Sequence, residues 1–366
     1  MKKTPLYDRH CELGGKIVDF HGWALPVQYS GIIEEHKRVR SAAGIFDVSH
    51  MGEINVEGPD AADFIQKIIT NDISRTKDFR VAYSPMCYPD GGVVDDILIY
   101  KYSSDLFLLI VNASNTEKDY EWMIRNMEGY RTRISNVSDS YAQLALQGPE
   151  SEKILQKLVN IRLENMKFFD FVPEAEICGK KAIISRSGSI EEESFEISID
   201  SEYAVMLWDN LLEAGREHGL VPAGLGARDT LRFEAALPLY GQELSPEITP
   251  LEAGLDRFVK LEKDDFIGRD ALLKQKSTGI KRKIVGFEMV DRGVPRTGYD
   301  VLAGGKKKGY VTSGNFSPSL GKNLGMALVD SDYSETGTEV AVLIRNRELK
   351  ARITELPFYS KKYVKG

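Results

Sequence analysis

Cysteine is scarce: Cys11, Cys87 and Cys178 are the only three in 366 residues. The set is odd and widely scattered, which argues against a disulfide frame and points to free thiols in a reducing compartment. None has a second cysteine at zinc-site spacing. No apolar run is long enough to span a bilayer, and Met1-Lys2-Lys3-Thr4-Pro5 leads into no apolar core of a signal peptide. Positive charge is in deficit as well: a net charge of −7 argues against a nucleic-acid binder working by phosphate neutralisation. Four of the five histidines (His10, His21, His36 and His50) fall in the first 52 residues. Their spacing matches no zinc or iron motif, so they read as hydrogen-bonded structural histidines, and no metal is expected. There is no Walker A loop and no Ser-His-Asp order. A cytoplasmic globular protein of two or three domains remains, with ordinary hydrophobic (42%) and charged (28%) fractions.

One stretch stands out against that background, Gly91-Gly92-Val93-Val94-Asp95-Asp96-Ile97-Leu98-Ile99-Tyr100. Its second half has the β-branched character of a buried strand, yet two adjacent carboxylates interrupt it. Side chains alternate across a strand, so Val94, Asp96, Leu98 and Tyr100 are predicted on one face and Val93, Asp95, Ile97 and Ile99 on the other. Pro89-Asp90-Gly91 is a turn signal ahead of it. An unpaired buried carboxylate costs several kcal/mol or takes up a proton, so at least one aspartate is expected to face a cleft or a partner.

From Gly52 the chain alternates between strand and helix patterns. Val56-Glu-Gly58-Pro59 through Ile68 aligns with Leu146-Gln-Gly148-Pro149 through Leu158 at an offset of 90 residues. A similar hairpin and helix follow in each copy. Only four of thirteen aligned positions are identical, which leaves coincidence open beside duplication. Ala223-Gly-Leu-Gly226-Ala-Arg228-Asp229 has glycines leading into a helix, a candidate anion cradle, although it is not the dinucleotide fingerprint. Arg228 is a natural carboxylate fork, or equally a helix-end pair with Asp229 or Glu234. Lys274 to Lys283 reads as a solvated linker, and the short strands after it make a small barrel or sandwich. The fold class is α+β, with two related α/β units followed by a small all-β unit. The predicted divisions are 1–52, expected to pack with the second unit, then 53–136, 137–280 and 281–366. The inventory of a strand aspartate, Glu196 on Phe195-Glu196-Ile197 and an arginine suits a planar, amine-bearing ligand with an acidic tail.

The sequence resembles the glycine cleavage T-protein (aminomethyltransferase) family from end to end. The resemblance rests on Val18-Asp19-Phe20-His21-Gly22-Trp23, Gly44-Ile-Phe46-Asp47-Val-Ser49-His50-Met51-Gly52, Gly91-Gly92-Val-Val-Asp95-Asp96, Val111-Asn112-Ala113, Leu146-Gln147-Gly148-Pro149, Gly224-Leu-Gly226-Ala227-Arg228-Asp229, Leu239-Tyr240-Gly241-Gln242 and Thr312-Ser313-Gly314. It implies an α+β, three-lobed fold, with two related α/β units built on antiparallel sheets and a C-terminal small β-barrel, and transfer of a one-carbon unit from the aminomethyl-lipoyl arm of H-protein to tetrahydrofolate, releasing ammonia. It also implies that Asp96 is the catalytic aspartate, Glu196 the pterin-binding glutamate, Arg228 a ligand-binding arginine and Tyr363 a C-terminal ligand contact. Asn112 and Tyr100 are expected beside the same site. No membrane or nucleic-acid partner is implied.

The chain departs from the family pattern at one place. Where the family reads Gly-Tyr-Thr-Gly-Glu-Asp-Gly, this sequence reads Gly188-Ser189-Ile190-Glu191-Glu192-Glu193-Ser194. Glycine in such turns often holds φ > 0, which glutamate tolerates poorly, so the loop is predicted to follow another path. Three solvated glutamates without effect, or weakened folate binding, are the two outcomes left open. Two other functions stay in view: a folate-dependent demethylase with a different one-carbon donor, and a folate-binding relative without turnover.

Overall fold

The structure, a computed structural model, describes residues 1–188 and 190–360. The alternating stretch from Gly52 onward folds into an antiparallel sheet of five strands. Their spatial order is Arg80–Cys87, Val93–Ser103, Leu106–Val111, Gly52–Glu57 and Arg133–Asn136. Helix Ala61–Ile68 carries its apolar side chains at helical spacing, so Phe64, Ile65 and Ile68 close over Ile97, Ile99 and Leu109 in a dry core. A second sheet repeats the plan in the order Phe171–Ile177, Lys180–Ser185, Ser194–Asp200, Tyr141–Gln147, Ala43–Asp47 and Leu220–Pro222. Its helices Ser151–Gln156 and Ala204–Gly215 bury Ile154, Leu155, Leu207, Trp208 and Leu211 against it. The extra strand, Ala43–Asp47, comes from the N-terminal segment and runs antiparallel to Tyr141–Gln147 and parallel to Leu220–Pro222.

Backbone geometry decides between duplication and coincidence. Phe79 and Phe169, equivalent in the two copies, both adopt φ near +65° (62° and 68°), and the paired glycines Gly58 and Gly148 share φ of 133° and 124°. Positive φ at a phenylalanine is uncommon enough that finding it twice in register marks two copies of one unit. The copies meet where Arg80 pairs with Asp170, its own counterpart 90 residues on. That half-exposed pair contributes ~1 kcal/mol at most. Val81, Tyr100, Leu108 and Ile110 from one sheet bury against Phe171 and Ile183 from the other, at ~1.5–3 kcal/mol for each large side chain. Apolar burial therefore holds the seam.

Beyond residue 281, strands Arg282–Met289, Asp300–Ala303, Lys306–Ser317, Lys322–Asp330, Glu339–Ile344 and Arg347–Thr354 close into a barrel. It docks through Leu324 and Met326 onto Phe233, and through Ser317 and Ser319, which both donate to Glu234. Half of the predicted linker is structured differently: Lys274 to Thr278 end a helix that starts at Arg269, and only the residues from Gly279 to Lys281 lie between elements. Among the described residues no helix is long and apolar enough to cross a membrane, and no group of three His, Cys, Asp or Glu side chains could hold a metal ion.

The hairpin ahead of Asp95 turns as its sequence predicts, with Gly91 N–H donating to Tyr88 O and Gly91 at φ 91°. Gly92 has a different task. A Cβ there would stand 1.8 Å from Pro246 O, so the glycine lets the 245–248 segment lie across the strand and accept from Val93 N–H through Ser245 O at 2.9 Å. Gly92→Ala should therefore lower stability by about 3 kcal/mol, the upper end of ordinary overpacking. Urea unfolding checks this: a loss under about 0.5 kcal/mol would mean that the segment moves aside freely.

Candidate active site

The strand Val93–Ser103 supports the site because its two faces meet different surroundings. Asp95 is fully buried, on the side of the helix layer with Ile97 and Ile99, whereas Asp96 points with Leu98 and Tyr100 toward the seam between the units. Alternation breaks at the start of the strand. A bulge opposite Met86 and Cys87 turns Val94 into the helix-side core, away from the Asp96 face predicted for it, and leaves Val93 packed with Tyr83, Leu244 and Leu255 rather than with Ile97 and Ile99.

Asp95 accepts from Asn112 N–H (3.1 Å), Asn112 Nδ2 (2.7 Å) and Asn115 Nδ2 (2.8 Å). The second Nδ2 proton of Asn112 reaches Asp96 Oδ1 at 2.9 Å, so one amide bridges the two carboxylates. Tyr83 completes the support by donating to Asp96 Oδ2 at 3.1 Å. Asp96 is half-buried by accessible surface yet enclosed by protein atoms, as at the floor of a recess. Burial first, and the charge of Asp95 second, raise its carboxyl to about 7, against the lowering effect of its bonds from Tyr83 and Asn112. A carboxylate poised there can accept a proton at neutral pH.

Tyr100 lies four residues along the same face, about 13 Å from Asp96 on an extended strand. Its hydroxyl donates to Glu196 Oε2 at 3.2 Å and meets Ser185 Oγ at 2.9 Å, and Ser187 Oγ donates to the same Oε2 at 2.7 Å. Glu196 Oε1 accepts from no described residue, and Glu196 is not fully buried, so one oxygen stays open. Glu196 is thus held at Tyr100, further along the face that carries Asp96. The separation suits the two ends of an extended ligand.

Arg228 sits on helix Leu225–Glu234, and its guanidinium forms no hydrogen bond or ion pair among the described residues. The helix-end pair is not formed: Asp229 pairs with Arg232 at 2.6 Å, and Glu234 pairs with Arg40 at 3.1 Å. Burial lowers the proton affinity of Arg228, while the nearby charge of Glu196 raises it. An enclosed guanidinium without a protein partner is a binding group waiting for an acceptor. The glycines before it hold no anion site. Gly224 and Gly226 approach Val27 and Ile32 closely, and Glu35 Oε2 already accepts from Gly224 N–H at 2.8 Å.

The divergent loop carries a non-glycine residue in the left-handed region. Glu191 has φ 62°, so a glutamate holds the left-handed conformation that a glycine would hold without cost. Its neighbours are not solvated: Glu193 pairs with Arg186 at 2.8 Å, and Glu192 meets Arg40 at 3.5 Å and accepts from Tyr359 OH at 3.1 Å. Two of the loop's three glutamates therefore face arginines. Ser189 and Tyr363 lie outside the described residues. Relieving the left-handed residue, Glu191→Gly should raise stability by about 1 kcal/mol, seen as a higher melting temperature; an unchanged or lower value would show that the side chain offsets its backbone strain.

Sequence reasoning missed Tyr83 and His50. Tyr83 stands opposite Leu98 in the hairpin, diagonal to Asp96, and only strand register could reveal that. His10 and His36 are hydrogen-bonded structural histidines, to Asp47 and Tyr29 and to Thr230 and Ser319 respectively. His50 is different. It is buried with Nδ1 unpartnered, and burial together with the charge of Arg228 lowers it to about 4, so it stays neutral beside the site.

Comparison with known proteins identifies the family. Residues 6–263 match the family described as the GCVT N-terminal domain, and residues 282–360 the glycine cleavage T-protein C-terminal barrel domain. The aminomethyltransferase of Thermoanaerobacter pseudethanolicus is 58% identical over 100% of this chain and 99% of its own. That of Moorella thermoacetica is 55% identical over 98% of each. The crystal structure of glycine cleavage system aminomethyltransferase T from Bartonella henselae superposes with a TM-score of 0.93 at 32% identity, covering 100% of this chain and 99% of that one. The chain belongs to the glycine cleavage T-protein family of aminomethyltransferases.

Proposed function

We propose that this protein transfers the one-carbon unit of aminomethyl-lipoyl H-protein to tetrahydrofolate, giving 5,10-methylenetetrahydrofolate, ammonia and dihydrolipoyl H-protein, and that it works in the cytoplasm. Asp96 is the observation that carries the reading: a recessed carboxylate, raised to about 7 and steadied by Tyr83 and Asn112. Residues around it fit a reduced pterin with an acidic tail. Glu196 offers an open oxygen to a ring edge rich in N–H groups, with Tyr100 and Ser187 fixing the carboxylate's orientation. Arg228 offers an unpartnered guanidinium to an acceptor. Tetrahydrofolate supplies the nucleophilic nitrogens. Asp96 holds them in place and takes up the proton released when a nitrogen forms its bond to carbon, and Asn112 keeps the carboxylate aimed.

The test is to incubate the protein with aminomethylated H-protein and tetrahydrofolate and to measure ammonia and methylenetetrahydrofolate. Equal yields of both, dependent on H-protein, are expected. One-carbon transfer from a methylated amine or sulfonium compound without H-protein would favour the demethylase reading, and folate binding without product would favour the non-catalytic one.

A further inference from the structure

One buried acid that the mechanism does not use stands against the site. Asp119, on helix Thr116–Asn126, is 0% exposed, and neither of its oxygens accepts from any N–H or O–H donor of the described residues. It lies one helical turn beyond Asn115, whose amide donates to Asp95, and its own carboxyl meets Asp95. Two buried carboxyls in contact cannot both be anions without a cation between them. The neighbouring lysine offsets this only in part: Lys118 Nζ forms a loose ion pair 3.6 Å from Asp119 Oδ1, its protons going to Val94 O and to Tyr240 OH at 3.1 Å, and burial with the charge of Asp95 outweighs it. Asp95 is the member that must be ionised, because three N–H groups converge on it and a carboxylate with several such donors keeps its charge. The proton therefore resides on Asp119. Asn115, at the N-cap of the same helix, turns its side chain to Asp95 and caps nothing.

We infer that Asp119 is a positioning acid for the catalytic site: its protonated carboxyl donates to Asp95, Asp95 holds the amide of Asn112, and that amide holds Asp96. The inference rests on the reading of Asp96 as proton acceptor. Burial and the charge of Asp95 raise Asp119 to about 11, so it keeps its proton throughout the working range. The groups facing this acid chain are Asp95 on the strand, Lys118 on the helix, Tyr88 and Asp90 in the hairpin, and Tyr240 with Glu247 from the crossing segment. Those facing Asp96 are Asp95, Tyr83 and Asn112, with Arg257 behind Tyr83.

Asp119→Asn retains an N–H donor for Asp95, and Asp119→Leu retains only the bulk. With Leu at that position the three amide donors still keep Asp95 ionised, so its charge is less well neutralised and Asp96 becomes harder to ionise. The acid limb of the single-turnover pH profile should move up by about one pH unit, while KM for tetrahydrofolate stays within about twofold. The Asn variant should keep the wild-type limb. A limb unmoved or moved to lower pH in folded Asp119→Leu would overturn the inference, as would an equal shift in Asp119→Asn. A merely structural role would lower the melting temperature and leave the limb in place. If the Leu variant does not fold, infrared difference spectra of wild type and Asp119→Asn decide the matter. A protonated-carboxyl band that vanishes in the variant is expected at about pH 8, where an exposed aspartate carries no proton; no such band overturns the inference. An active Asp96→Asn protein would instead remove the reading beneath it, so the two failures are distinguishable.

Discussion

Asp96→Asn should lower turnover by roughly a hundredfold or more, the usual scale of lost acid–base help, while tetrahydrofolate still binds. Asparagine keeps the shape and can still accept from Tyr83 or Asn112, so the lost quantity is the proton acceptor itself. Stability should respond in the opposite sense. The folded pKa of Asp96, about 7, lies above its unfolded value, so the unfolded chain ionises first as pH rises. The contribution of Asp96 to stability is thus full below about pH 4 and falls as pH rises through about 7. Asn removes that loss. A variant that is inactive at about pH 8 yet melts no lower than the wild type is the expected pairing; inactivity caused by unfolding would show a lower melting temperature. Asp95→Asn should behave differently, because its carboxylate collects three N–H donors inside the protein and its loss acts mainly on the fold.

The second large effect concerns Glu196 and Arg228. Removing Glu196 leaves ring donors of the ligand unpaired, and Glu196→Ala should weaken tetrahydrofolate binding by about 1–3 kcal/mol. Tyr100 and Ser187 lose their acceptor in that variant, so a modest loss of stability is expected beside it. Arg228→Ala separates the two effects. No partner among the described residues is lost, and a cation that burial disfavours is removed. Binding should weaken by about 1.5–3 kcal/mol, the worth of a charge-assisted bond, while the melting temperature holds or rises. Calorimetric titration beside a melting curve reads both. Unchanged affinity with a lower melting temperature would return Arg228 to a structural role.

Strand alternation was enough to separate Asp95 from Asp96, because a period of two depends on nothing beyond the strand itself. The duplicated units were legible through Gly58-Pro59 and Gly148-Pro149, whose glycines share one unusual backbone conformation. Local signals failed where a distant group competed for the same atoms. Asn115 caps no helix because Asp95 takes its amide, and the glycines before Arg228 cradle no anion because Glu35 fills the place. Glu192 and Glu193 read as solvated charges because Arg40 and Arg186 arrive from 152 and 7 residues away. Tyr83 reaches Asp96 only through strand register, and the bulge at Val94 is invisible to a simple alternation. Residue chemistry without the resemblance went as far as a small polar ligand; the unpartnered guanidinium of Arg228 and the open oxygen of Glu196 are what only coordinates reveal.

Single-turnover transfer from aminomethylated H-protein to tetrahydrofolate, followed from about pH 5.5 to about pH 9 in wild type and Asp96→Asn, tests the central claim most directly. The expected wild-type profile rises about tenfold per pH unit on its acid side and levels near pH 7, the proton affinity of Asp96. Asp96→Asn is expected to be slow at every pH and to lack that limb. A wild-type rate independent of pH across this range, or the same limb in Asp96→Asn, would contradict the assignment of Asp96 as the proton acceptor.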